Sequence, residues 1–230
     1  IVSSNSFTAL AQALIDVNNL ESTYAPRLLS TEQQLADIAT PQVVWNRADT
    51  NRRPLISFTS DDGTGADITV MGTILKRYNV PATVSLITDT ITNIDEYKNL
   101  QDNYGWEIAS HSTDSTLLGT ISIADCEEKL KESKRILESY GFNIKSFVYP
   151  SGSANANVKK KKKNYYEAGY NYDDRVNTEN FIDSFSIHRV PLGAFYIKPS
   201  HNTLEDYKEY VDKAYDNNGW SVFCLHHYKE

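Results

Sequence analysis

The sequence has few cysteines, no long apolar run and a deficit of positive charge, and each of these features excludes a class of protein. Only Cys126 and Cys224 occur in 230 residues, so neither a disulfide framework nor a cysteine-rich zinc site organises the fold. No apolar run approaches the roughly 18 residues that a membrane span needs. The 23 Lys and Arg residues against 30 Asp and Glu residues give a formal charge of -7, which argues against a nucleic-acid partner.

The composition that remains is that of an ordinary globular protein. Hydrophobic residues make up 40% of the chain and charged residues 23%, which excludes a disordered or fibrous chain. The length suits one large domain, or one domain with an extension. The chain begins with Ile rather than Met, and we therefore expect a fragment or a processed form.

The first 50 residues are predicted to form a helical extension. Within residues 1–45 apolar side chains recur at alternating steps of three and four, although Glu21 and Thr31 interrupt the pattern and Pro26 breaks it. Two interpretations remain open, a helix packed on its own domain and a short coiled-coil stalk or linker that makes the chain a homo-oligomer. The apolar positions are Phe7, Leu10, Leu14, Val17, Tyr24, Leu28, Leu35 and Ile38.

Residues 51–230 show a different pattern, in which short β-branched runs alternate with helical segments. This alternation predicts parallel strands joined by crossover helices, and therefore an α/β sheet or barrel whose chemistry lies at the carboxyl ends of the strands. The predicted strands are 55–59, 82–88, 106–110, 146–149, 185–190 and 221–225. The predicted helices are 68–78, 95–103, 123–140, 156–168 and 204–217, the third with a capping box at Ser122 and Asp125 and a stop at Gly141. The lysine run 159–163 is typical of a solvated helix face.

Chemically capable side chains follow the predicted strands. The segment FTSDDG places Asp61 and Asp62 at the end of the first strand, where one carboxylate can hold a cation and the other can accept a proton, although an Asp-Asp-Gly turn is also common structure. The segment SHSTDS adds His111, with Ser115 four residues further on. Imidazole and carboxylate side chains together are suitable ligands for a divalent metal.

Two later segments complete the set of candidates. In FVYPSG, residues Tyr149, Pro150, Ser151 and Gly152 form a turn that can direct a backbone N–H at an oxyanion. In VFCLHH, one of two histidines at the end of the last strand is expected to face the site, where an imidazole can protonate a leaving group.

In their order and placement, these four segments resemble the motifs of the NodB-homology polysaccharide deacetylases, a family of metal-dependent carbohydrate esterases. The resemblance covers about residues 54–228 and implies a distorted (β/α) barrel. It implies that Asp61 is the general base, that Asp62 and His111 are metal ligands, and that His226 is the general acid. Zinc is the metal that it favours, with cobalt or nickel as alternatives.

The sequence departs from the family pattern at the metal site. Ser115 stands where the family has a second histidine, so the third ligand position is weakened unless Asp114 or a water fills it. Val148 stands where many relatives have an arginine that steadies the base. We expect Arg189 to replace that arginine and Asp174 or Asp173 to orient the acid.

Two functions follow from this reading. The first is hydrolysis of N-acetyl groups from the amino sugars of a polysaccharide or peptidoglycan, outside the cell or on a virion, as in a phage tail protein that acts on the host wall. The second is a catalytically silent relative that binds glycan in the same groove for host or surface recognition.

Overall fold

The computed structural model describes residues 44–46, 54–178, 181–192 and 203–226. The chain divides into two units, residues 1–41 and 42–230, and every described residue belongs to the second. The predicted helical extension therefore lies outside the described residues, except for a strand at residues 44–46.

The described elements alternate between strand and helix. The strands are β1 (Val44–Asn46), β2 (Leu55–Ser60), β3 (Thr83–Leu86), β4 (Glu107–Ser110), β5 (Ser146–Val148), β6 (Ala168–Tyr170), β7 (Phe181–Asp183), β8 (Val190–Pro191) and β9 (Trp220–Leu225). The α-helices are α1 (Gly72–Arg77), α2 (Ile94–Tyr104), α3 (Ile123–Ser139), α4 (Ala156–Lys162) and α5 (Leu204–Asp216). A π-helical turn, Asp67–Met71, leads into α1. Two 3-10 turns, Leu118–Thr120 and Pro150–Gly152, precede α3 and α4.

Seven of the strands form one parallel sheet in the order β6-β5-β4-β3-β2-β9-β8. Strands β1 and β7 form a separate antiparallel pair. Because all seven strands of the main sheet run in one direction, their carboxyl ends lie at one edge. With its crossover helices, this curled parallel sheet confirms the predicted distorted (β/α) barrel.

The segment from Ile187 to β8 lies between β6, at one edge of the curled sheet, and β9. Ile187 makes a parallel bridge to Tyr170 at the end of β6, while Val190 and Pro191 pair with β9 on the other side. Arg189 lies between these two points of attachment and is 1% exposed. The fold therefore directs a buried guanidinium toward the centre of the barrel.

Helix α3 forms as the sequence predicts. The Ser122 hydroxyl accepts a hydrogen bond from the amide of Asp125 at 3.1 Å, which satisfies one of the free amides of the first turn. Gly141, with φ of 83°, follows the end of the helix in the left-handed conformation that glycine tolerates best.

Two predicted elements are wrong. The helix predicted over 156–168 ends at Lys162, and its last predicted residue begins strand β6 instead. The strand predicted over 185–190 is reduced to β8, because the residues before Val190 turn to reach Tyr170 through a single bridge. Both errors occur where short edge strands give little periodic signal.

The lysine run is also not simply a solvated helix face, because Lys162 is fully buried. Its Nζ lies 4.8 Å from the ring centroid of Tyr149 and 4.4 Å from that of Phe185, and it has no hydrogen-bond partner among the described residues. Burial lowers the pKa of Lys162 well below its ordinary value. A Cβ at Gly169 would lie 1.6 Å from Nζ, so the amine occupies the space that this glycine leaves.

Candidate active site

The parallel sheet brings three of the predicted site segments to one edge. Asp61 and Asp62 follow β2, His111 follows β4, and His226 follows β9. Strands β2 and β9 are adjacent, and β3 separates β2 from β4. The contacts described below join the side chains of these residues, so the separate segments form one site.

Asp61 is a buried carboxylate held by Arg189. The guanidinium donates from Nη1 to Oδ1 at 2.8 Å and from Nη2 to Oδ2 at 2.9 Å, which is the bidentate geometry of a strong charge-assisted pair. Burial acts to raise the pKa of Asp61, but the charges of Arg189 and His111 and the hydrogen bonds from Arg189 and Ser85 together hold it well below its usual range. Asp61 is therefore ionised at every pH at which the fold is expected to work.

The pairing partner comes from the segment that was predicted to supply it. Arg189 Nε donates to the carbonyl of Asn171 at 2.8 Å, and Nη1 also reaches the Thr59 hydroxyl at 3.2 Å. These bonds fix the plane of the guanidinium opposite Asp61. The supporting role that the resemblance led us to expect of Arg189 stays a prediction, but its geometry suits that role.

Two neighbours of Asp61 were not predicted. The Ser85 hydroxyl donates to Oδ1 at 3.0 Å, and the Cys224 thiol donates to Oδ2 at 3.6 Å. Both are buried on strands that flank β2. Side chains alternate between the two faces of a strand, so the sequence can assign Ser85 and Cys224 to one face of β3 and β9. Only the order of strands in the sheet shows that both side chains contact Asp61.

Asp62 lies between the two histidines. His226 Nε2 is 2.8 Å from Oδ2, and His111 Nε2 is 3.4 Å from Oδ1. Burial acts to raise the pKa of Asp62, and the hydrogen bond from His226 with the charges of both histidines outweighs it, so the pKa is lowered. Asp62 has a φ of 74°, an unusual conformation for a residue other than glycine.

His111 is oriented by the backbone of β5. Its Nδ1 lies 2.9 Å from the carbonyl oxygen of Val148, which can only accept a hydrogen bond, so Nδ1 carries the proton. Nε2, the other ring nitrogen, faces Asp62 and lies 3.4 Å from its Oδ1. A carbonyl partner of this kind is typical of histidines that bind a metal through the other ring nitrogen.

The third ligand position is not formed. Ser115 is exposed, and among the described residues no hydrogen bond joins it to Asp62 or His111. Asp114 is directed instead toward Lys129, whose Nζ lies 2.7 Å from Oδ2. Within residues 54–178, 181–192 and 203–226, no three His, Cys, Asp or Glu side chains are grouped as a metal site requires. The donor set therefore does not fit the three-ligand metal site that the resemblance implies.

The predicted oxyanion turn divides into a buried part and an exposed part. Tyr149 is fully buried and donates its hydroxyl to the carbonyl of Phe185 at 3.1 Å, and Pro150 is buried beside it, so neither side chain is open to a substrate. Ser151 is exposed, with φ of 50°. The amides of Gly152 and Ser153 close the turn, onto the carbonyls of Tyr149 and Pro150. The Ser151 amide takes no part in those two bonds.

The remaining candidates lie beside the site. Asp174 accepts a hydrogen bond from the Tyr210 hydroxyl at 2.8 Å, and Asp173 pairs with His188. Orientation of His226 by Asp174 or Asp173 stays a prediction. His227 lies outside the described residues.

Tyr172 is a further residue near the site that the sequence did not predict. Its backbone and Cβ pack against Gly152, where an added Cβ would come within 3.0 Å of the Tyr172 Cβ. Burial raises the pKa of Tyr172, and the charges of Asp61 and Asp174 raise it further although Arg189 lowers it, so the phenol stays neutral. Among 15 tyrosines, nothing in the sequence distinguishes this one.

The fold is similar to that of several solved carbohydrate esterases. A deacetylase from Streptococcus pyogenes in complex with acetate is 22% identical, with a TM-score of 0.54 over 58% of this chain and 62% of that chain. The CE4 domain of a multidomain xylanase from the hindgut metagenome of Trinervitermes trinervoides is 20% identical, with a TM-score of 0.55 over 77% and 75% of the two chains. A CE4 pseudoenzyme from Bacillus anthracis is 17% identical, with a TM-score of 0.50 over 76% and 70%.

These structural similarities establish the fold, and the chain spans less than two thirds of the Streptococcus chain. A search of curated proteins found no match. No helix among the described residues is long and apolar enough to cross a membrane. The sequence profile of the polysaccharide deacetylases, however, matches residues 48–172, which is more than half of the chain. The chain belongs to the polysaccharide deacetylase family, whose members are hydrolases of N-acetyl amide bonds.

Proposed function

We propose that this chain removes N-acetyl groups from the amino sugars of a cell-wall or surface polysaccharide. The observation that carries the proposal is the buried bidentate pair between Asp61 and Arg189. This pair keeps Asp61 ionised, and the next residue, Asp62, lies between His111 and His226. A site that combines an ionised base with an imidazole acid suits hydrolysis of an amide, which needs proton transfer in both directions.

In this proposal Asp61 takes a proton from the attacking water. Its carboxylate stays ionised because Arg189 offsets the cost of burying the charge. General base catalysis of this kind contributes about 10²- to 10⁴-fold to a rate.

His226 would donate a proton to the departing amine. Its Nε2 lies 2.8 Å from Asp62 Oδ2, and a carboxylate can only accept, so Nε2 is the protonated nitrogen. The backbone amide of Ser151, an exposed residue, is the candidate donor to the tetrahedral oxyanion, since backbone N–H groups stabilise such charge.

The family generally uses a divalent metal. Zinc at Asp62 and His111 stays an expectation from the resemblance, because the third donor is missing and no proton transfer above depends on a metal. Metal dependence is therefore a quantity to measure. Activity after exhaustive chelation, and after addition of zinc, cobalt or nickel, gives the answer directly.

Release of acetate from an oligomer of N-acetylglucosamine tests the proposal. Asp61→Asn should lower kcat by about 10²-fold or more, since the amide cannot accept the proton. Asp114→Asn is the matched control, because Asp114 is an acidic residue of the same region that is held by Lys129. Absence of acetate release by the wild type, with and without each metal, would contradict the proposal.

Glycan binding without catalysis is a second candidate. The exposed Ser115 in place of a histidine favours it, and so does the likeness to a Bacillus anthracis CE4 pseudoenzyme. Calorimetry with the same oligomer separates the two functions, since a silent relative would bind the oligomer and release no acetate.

The setting of the proposed activity follows from its substrate. An enzyme that acts on a wall or surface polysaccharide works outside the cell or on a virion, and a phage tail protein is one such setting. Residues 1–45 would then serve as an oligomerising stalk. Analytical ultracentrifugation of the whole chain tests this last point, and a monomer at all concentrations would overturn it.

A further inference from the structure

All the positions at which the carboxylate of Asp61 accepts a hydrogen bond are occupied. A carboxylate has about four lone-pair positions, two on each oxygen. Oδ1 accepts from Arg189 Nη1 and from the Ser85 hydroxyl, and Oδ2 accepts from Arg189 Nη2 and from the Cys224 thiol. A water that gives its proton to Asp61 must therefore displace one of these donors.

The four donors differ in strength. The two from Arg189 are charge-assisted and buried, and their loss would leave an uncompensated charge in the interior. The Ser85 hydroxyl makes a hydrogen bond of ordinary length, 3.0 Å. The thiol of Cys224, at 3.6 Å, is a weak donor. The lone pair of Oδ2 that faces Cys224 is thus the position that water displaces most easily.

Cys224 also has a second acceptor within reach. Its Sγ lies 3.9 Å from the carbonyl oxygen of Leu225, the same oxygen that accepts the backbone amide of Asp61 at 3.3 Å. By rotation about its Cβ–Sγ bond, the thiol proton can leave Oδ2 and turn toward this carbonyl while the sulfur stays in place. The thiol then gives up one weak hydrogen bond for another, so its release costs little.

We infer that Cys224 is a positioning residue of the base: its thiol holds Oδ2 of Asp61 at rest and releases it to the attacking water. In that step an O–H bond of water breaks and the proton goes to Oδ2. The oxygen of the water bonds to the carbonyl carbon of the acetamide, and the π electron pair of that carbonyl moves onto its oxygen as the tetrahedral oxyanion. The thiol keeps its own proton throughout. The inference rests on the proposed function for the release, whereas the resting hydrogen bond stands on geometry alone.

Infrared spectroscopy of the S–H stretch tests the resting state without substrate. Cys126→Ala leaves only the Cys224 band, and Cys224→Ala leaves only that of Cys126, a buried thiol on α3 away from the site. We expect the Cys224 band at lower wavenumber than the Cys126 band, and we expect it to rise in Asp61→Asn. Two bands at one wavenumber, or a Cys224 band that Asp61→Asn does not move, would overturn the inference.

Acetate release tests the step itself. Cys224→Ala removes a donor that water must displace, so kcat should rise roughly two- to threefold with little change in KM. Ser85→Ala removes a donor that stays in place and should lower kcat roughly tenfold, while Cys126→Ala should leave it unchanged. A fall or no change in kcat for Cys224→Ala overturns the release. If the wild type releases no acetate, the proposed function fails, and the infrared bands still decide whether the thiol holds Oδ2.

Discussion

Arg189 and Asp61 are 128 residues apart in the sequence and make two parallel hydrogen bonds in the interior of the barrel. The guanidinium reaches the carboxylate because its segment is bridged to Tyr170 on one side and paired with β9 on the other. The same pair contributes to stability and to the charge of the proposed base.

Arg189→Met should lower both stability and activity. Removal of one partner from a buried ion pair destabilises a protein by about 3–5 kcal/mol. Burial, which acts to raise the pKa of Asp61, is then no longer opposed by Arg189. The acid limb of the pH profile of kcat/KM should therefore move to higher pH.

Arg189→Lys is the control for this prediction. Lysine keeps the positive charge but cannot make the bidentate pair of hydrogen bonds with Asp61. The acid limb of the pH profile should therefore shift less than in Arg189→Met. Chemical denaturation measures the stability of both variants. An acid limb that stays in place in Arg189→Met would show that Asp61 does not set it.

The sequence could predict which segments meet at the site because each follows a strand of a parallel sheet. Asp61, Asp62, His111 and His226 lie at strand ends in the sequence and at one edge of the sheet in the structure. Parallel pairing alone carries that information. The proximity of Asp62 and His111 was expected from the resemblance, whereas the hydrogen bond between Asp62 and His226 and the left-handed backbone of Asp62 were not predicted.

The residues near the site that the sequence did not predict have positions set by tertiary packing. Ser85, Cys224 and Tyr172 are small or common side chains whose positions depend on sheet order and on loop packing rather than on a motif. The burial of Lys162 was missed for a similar reason. A run of five lysines indicates solvent exposure, and only the facing Gly169 makes room for one of them inside.

Ser115→His should create the third ligand that the described residues lack. A direct imidazole ligand contributes more than an outer-shell partner, whose loss weakens metal binding by 10- to 100-fold, so zinc affinity should rise by roughly tenfold or more. Calorimetry with zinc measures the change. Ser115→Ala is the matched control, and Asp62→Asn added to Ser115→His should remove the gain. Equal affinity in the wild type and Ser115→His would show that residue 115 does not face the site.

Lys162→Met should stabilise the protein at neutral pH. The buried amine has no hydrogen-bond partner among the described residues, and such a group costs about 1–3 kcal/mol. Because burial lowers the pKa of Lys162 in the folded state, the unfolded chain binds the proton more tightly between the folded pKa and the ordinary value of 10.5. Stability should therefore rise with pH across that window in the wild type.

The pH dependence distinguishes this effect from improved packing. The charged groups that face the amine are Asp183, which acts to raise its pKa, and Lys159 and Lys163, which act to lower it. Urea denaturation at several pH values should give a smaller slope of stability against pH in Lys162→Met. Lys160→Met, on the exposed side of α4, is the control and should keep the slope of the wild type. An unchanged slope in Lys162→Met would show that the amine does not titrate within the window.

Gly63→Ala should disturb the turn that carries Asp62. Gly63 has φ of 65°, and a Cβ there would lie 2.4 Å from Leu86 Cδ2, so the variant combines backbone strain with overpacking. Gly105→Ala separates the two causes, because Gly105 has φ of 68° and nothing lies within 4 Å of its added Cβ. We expect a loss of about 1 kcal/mol in the free energy of unfolding for Gly105→Ala and about 2–4 kcal/mol for Gly63→Ala. Because Asp62 precedes Gly63, only Gly63→Ala should also lower acetate release, and equal effects of the two variants on both quantities would contradict the role of this turn.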